Sequence, residues 1–129
     1  MTIPPVRLGF FKLNVDLMEP ALSFWQSAFG FVVTATFDEP DFMEHMLGLP
    51  GQERWPNLLL VEYRDGRDVS VGPGHGPVGL ICDDIAASHE RALACGASAL
   101  TGLFNAAGVQ IAMMKSPQGH EIELIQLPT

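Results

Sequence analysis

The sequence predicts an α+β fold in which one β-α-β-β-β unit is used twice. Three observations predict it. The order strand, Asp, helix, Gly occurs twice, with Leu13 matched by Leu80, Val15-Asp16 by Cys82-Asp83, and Gly30 by Gly96, at an offset of about 66 residues. A stretch rich in Gly, Pro and Asp, from Asp65 to Pro77, separates the copies and reads as a linker. Each half carries several short β-branched or aromatic runs but only one helical pattern. One half is too small to bury a good core, so the two must share one. The expected organisation is a single domain over residues 1–129, with module one at about 6–66 and module two at about 77–127.

The elements follow in order. "RLGFFKLNV" (residues 7–15) reads as a strand. "DLMEPALSFWQSAFG" reads as a helix, with Pro20 in its first turn and Gly30 just past its end. Leu22, Trp25 and Phe29 fall on one face and Ser23, Gln26 and Ser27 on the other. "FVVTATF", "FMEHMLGL" and "NLLLVEYR" are the three strands that complete module one. After the linker, "VGLIC" is a strand and "DDIAASHERALACG" a helix, with Ile85, His89, Ala92 and Leu93 spaced for one face. "SALTGLF", "VQIAMM" and "HEIELIQL" are three further strands.

Composition narrows the function classes. Hydrophobic residues make up 47% of 129, too many for a disordered chain. There is no apolar run long enough to span a bilayer and no signal-peptide pattern, so a cytoplasmic protein without a membrane partner is expected. A net charge of −8 argues against nucleic acid as a partner. Cys82 and Cys95 read as reduced, buried thiols.

Several motifs fail on inspection. Gly74-x-Gly76-x-x-Gly79 has the spacing of a dinucleotide fingerprint, but it precedes a strand and Pro77 removes a donor. His89-Glu90 lacks a second His one turn on, so it is no zinc-protease helix. Met113-Met114 reads as core filling.

The tail "SPQGHEIELIQL" raises a sharper question. On a strand, Ile122, Leu124 and Gln126 share a core-like face, and Glu121, Glu123 and Ile125 share the other. Glu123 either meets water or faces a cavity where a carboxylate has a task.

Taken with the tandem repeat, "NVDLMEPALSFWQSAFGF" and "SPQGHEIELIQ" resemble the vicinal oxygen chelate superfamily, which includes glyoxalase I, bleomycin-resistance proteins and extradiol dioxygenases. The resemblance implies that each module curves into a half-barrel around a cleft and that two modules form each cleft, often across a dimer; open half-barrels with apolar rims are best closed by a two-fold interface, so a homodimer is expected. Metal-dependent members hold a divalent ion with His or Glu from four strands. Carried over, the four positions fall on Phe10, Leu60, Pro77 and Glu123. Only Glu123 can bind a metal, so the standard centre is expected to be absent. A displaced divalent site could be assembled from Glu62, His75 and Glu123. On the same reading Phe10, Lys12, Asn14, Leu60 and His75 line a small-molecule cleft, and Glu123 points into it.

Two function classes follow from the resemblance. One is a lyase or isomerase that uses Glu123 as acid/base. The other is a metal-free binder of an aromatic or antibiotic molecule, of bleomycin-resistance type. A retained inward Glu favours the first; an apolar aromatic cleft favours the second.

Overall fold

The computed structural model describes residues 2–129. Module one contains β1 (Phe10–Asn14), α1 (Met18–Phe29), β2 (Val32–Asp38), β3 (Phe42–Gly48) and β4 (Asn57–Tyr63). Module two contains β5 (Val78–Ile81), α2 (Ile85–Ala94), β6 (Ser98–Ala99), β7 (Phe104–Ala106), β8 (Val109–Lys115) and β9 (Glu121–Gln126). The fold is α+β with two open mixed sheets. One runs β1-β4-β3-β2; the other runs β5-β9-β8-β6, with β7 also on β8. β1 pairs in parallel with β4, and β5 with β9, so each module's first strand is a sheet edge.

α1 forms where the apolar spacing places it. Ala21, Phe24, Trp25 and Ala28 are buried, and Gly30 closes the helix in the left-handed conformation at φ 81°. Trp25 is fully buried, with ring centroids 5.4 Å from Phe24 and 5.7 Å from Phe31. α2 begins at Asp84, whose side chain accepts from Ala87 N–H, and it buries Ile85 and Ala92. His89 is half-buried, whereas Leu93 is exposed, so the apolar face of α2 is narrower than its spacing suggests. One hydrophobic cluster draws on both modules, from Leu13 and Trp25 to Ile122 and Leu124. Arg91 Nε of α2 donates to the Ser27 carbonyl of α1 at 2.6 Å, which ties the two helices together.

The predicted strand Ser98–Phe104 divides into β6 and β7. Leu100 and Thr101 N–H both donate to the Met113 carbonyl, at 2.9 and 3.0 Å. Two residues opposing one is the pattern of a β-bulge. It breaks the ladder, and Gly102 follows in the gap. The segment from Asp65 to Pro77 contains no helix or strand, in keeping with a linker.

Candidate functional site

Strand register decides which side chains share the face opposite the helices. Leu13 and Leu60 are partners, and both belong to the core under the helices. The neighbouring pairs, Lys12 with Leu59 and Asn14 with Val61, therefore project from the other face. β3 adds Glu44 and Met46 to that face, and β2 adds Phe37. In module two, Gly79 pairs with Glu123 and Ile81 with Ile125; Met113 lies opposite Glu123 on β8.

Two positions expected from the sequence move. Leu60 is fully buried on the helix side, so it is not a cleft residue. The ligand-face position equivalent to Glu123 is Leu59, because Lys12 and Gly79 are equivalent in the repeat and pair with Leu59 and Glu123. Glu62 also leaves the ligand face. Its Oε1 accepts from Met18 N–H, the first residue of α1, at 2.7 Å. Gln126 does the same in module two, where its Oε1 accepts from Ile85 N–H at 2.8 Å. Both lie three residues past the paired position, and each satisfies the first N–H of a helix.

Phe10, Lys12 and Asn14 are all exposed on one face of β1, as the alternation requires. Lys12 Nζ lies 2.7 Å from Glu44 Oε1 and 5.8 Å from the centre of the Phe10 ring. Glu44 is buried, a partner that no periodicity argument singles out. Glu123 is half-buried and takes part in no salt bridge among the described residues. Beside it, a Cβ placed on Gly79 would meet nothing within 4 Å, so the space over β5 is open to the carboxylate.

Lys12 and His75 meet in a slot of about 260 Å³ between the edges of β1 and β5. His120 and Glu121 line it too, although the sequence reading singled out neither. Asn14 lines a different depression, with Pro117 and Gln118. Glu123 lies outside the slot, two residues beyond Glu121 on the same strand face. Burial, and then the nearby His75 ring, lowers the His120 pKa from its ordinary value; the Asn14 backbone pulls the other way.

The donor set does not fit a divalent ion at the positions implied by the resemblance. Phe10, Leu59 and Pro77 offer hydrocarbon, and Glu123 offers the one carboxylate. The displaced set fails because Glu62 is engaged at the N-terminus of α1. Among the described residues no group of three or more His, Cys, Asp or Glu is placed to hold a metal ion.

Comparison with known proteins agrees with the architecture. The model of the Glyoxalase/Bleomycin resistance protein/Dioxygenase superfamily matches residues 7–124. The structure of glyoxalase I from Zea mays superposes with a TM-score of 0.84 at 21% identity, covering 95% of this chain and 45% of that one. This chain thus spans about half the length of the maize enzyme. A glyoxalase family protein from Bacillus cereus superposes at 0.83 with 16% identity, covering 98% of this chain and 97% of that one. TnmS3, an antibiotic binding protein from Streptomyces sp. CB03234, superposes at 0.78 with 21% identity, covering 98% and 100%. A sequence search of curated proteins finds no match. No helix among the described residues is long and apolar enough to cross a membrane.

Proposed function

Because this chain belongs to the Glyoxalase/Bleomycin resistance protein/Dioxygenase superfamily, we propose that it binds a small organic molecule on its ligand face without a metal centre. One observation carries this reading. Three of the four metal-ligand positions are Phe10, Leu59 and Pro77, while the same face exposes Phe10, Phe37, Ile81 and Phe104. Apolar walls with a few polar anchors suit an aromatic ligand. The polar anchors are fewer than the sequence implied, since Glu62 serves a helix. The end-to-end likeness to an antibiotic binding protein supports the same reading.

A lyase or isomerase activity is the second reading. It is favoured by Glu123, a half-buried carboxylate without an ion-pair partner, beside open space over Gly79. There it could take or give a proton on a bound substrate.

The open edges of the two sheets are best closed by a second copy, so the proposed working form is a homodimer. Light scattering should give twice 14.0 kDa at micromolar concentration, and a monomer mass would refute the dimer.

The ligand reading is tested by thermal shift with a panel of aromatic compounds, before and after chelator treatment. A compound at a hundredfold excess over its Kd should stabilise the protein by about 2.7 kcal/mol, with or without chelator. Binding abolished by chelator and restored by zinc or nickel would overturn it. Consumption of the bound compound would transfer the assignment to the enzyme reading.

A further inference from the structure

His120 stands out among the groups that the ligand face does not use. It is only 4% exposed, and its Nδ1 is a buried polar atom without a hydrogen-bond partner among the described residues. Buried polar atoms are normally satisfied, so an orphan on a residue that lines a cavity marks a place for a partner. The other ring nitrogen, Nε2, is not orphaned in this way. In the neutral tautomer protonated at Nε2, Nδ1 is an acceptor in want of a donor.

The residue is rigidly placed. His120 N–H donates to Ser116 Oγ at 3.1 Å, and its carbonyl accepts from Ser116 N–H at 2.8 Å. The slot in front of it has a volume of about 260 Å³. A water molecule takes about 30 Å³ of liquid, so the space exceeds what one bridging water fills. Lys12 and His75 lie on its walls. Glu44 occupies one of the three ammonium donors of Lys12, leaving two. Glu121 also lines the slot, and Lys115 lies opposite Glu121 in the strand register.

We propose that this slot is a subsite for a small anion that carries its own hydroxyl. The O–H is directed at His120 Nδ1 and the anionic oxygens at Lys12 and His75. Hydroxy acids and hydrogen phosphate share this chemistry. The proposal rests on the reading of the adjoining face as a ligand cleft, and it adds the polar end of the ligand. Glu121 disfavours a plain anion at the slot, which makes the hydroxyl the discriminating group.

The test is a titration of the full-length protein with glycolate, phosphate and acetate at neutral pH, read by the nitrogen resonances of the histidine rings. Glycolate and phosphate each carry an O–H donor; acetate at that pH does not. The His120 Nδ1 signal should move saturably with glycolate, phosphate or both, and at least tenfold more acetate should be needed for the same change. The responding arm separates the two sources. His120→Asn should weaken binding at least tenfold. Should that variant fail to fold, His75→Ala, in an exposed loop, should weaken it severalfold. A His120 signal indifferent to all three anions, which would mean that only water fills the slot, overturns the proposal. Equal response to glycolate and acetate overturns it too. Binding of an apolar aromatic dye by the wild-type protein is measured alongside. Dye binding without an anion response refutes the subsite alone, whereas an anion response without dye binding refutes the apolar cleft and leaves the subsite standing.

Discussion

Glu62→Ala separates a helix cap from a cleft ligand. Leu17 stands at the N-cap of α1 and supplies no side-chain hydrogen bond, so the Glu62 carboxylate is the side chain that satisfies the first N–H of the helix. Removing a side-chain cap costs about 0.5–2 kcal/mol. The carboxylate also sits at the positive end of the helix dipole, which adds about 0.3–1 kcal/mol for a group that reaches the surface. Glu62→Ala should therefore destabilise the protein by about 0.8–3 kcal/mol. Glu62→Gln keeps the acceptor and loses the charge, as Gln126 already does in module two, so it should cost only about 0.3–1 kcal/mol. Urea unfolding at neutral pH measures both, with the slope m unchanged as the check that the two end states are comparable. A loss below about 0.5 kcal/mol for Glu62→Ala would refute the capping role. Equal losses for Ala and Gln would assign the effect to charge alone.

Three further outcomes are expected. Glu123→Gln should leave stability within about 0.5 kcal/mol while changing ligand affinity or turnover; unchanged binding and turnover would return Glu123 to a solvent-facing role. Metal-stripped protein dosed with zinc or nickel should show no appreciable rise in Tm, since stabilisation follows affinity for the native state, and stoichiometric metal by mass spectrometry would refute the metal-free reading. Burial depresses the His120 imidazole in the folded state, so the unfolded chain binds more protons. Stability contributed by this residue is then present above about pH 6.5 and lost as pH falls through the folded value. His120→Asn should show a shallower loss between about pH 7 and 5, and pH–stability curves parallel to wild type would count against this.

Most of the architecture was legible because its signals are local. α1 shows a clean apolar stripe with Gly30 after it, and the repeat of Asp16 and Asp83 marks the two modules. β4 was the opaque element. Asn57 to Val61 is buried throughout, so the run of three leucines shows no alternation, and nothing in it distinguishes the ligand face from the core face. A one-residue slip then exchanges every side chain between faces, which is how Leu60 and Glu62 were assigned to the cleft in place of Leu59. β9 alternates cleanly, so the face shared by Glu121, Glu123 and Ile125 could be read directly. His120 escaped notice for another reason. It shares its slot with Phe11, Lys12 and Leu13 of β1, residues far from it in the chain.

The enclosure of Leu59 bears on whether a metal centre could be engineered into this scaffold. Phe10 is 52% exposed, so His could replace it with little disturbance. Leu59 is 2% exposed and packed between β1 and β3, so a carboxylate installed there before any cation is bound would be stranded away from water. Pro77→His would have to accompany it to supply a further donor near the Glu123 carboxylate. In the finished variant the enclosed acid is tolerated while a cation sits beside it, so metal binding and stability would be coupled in such a centre.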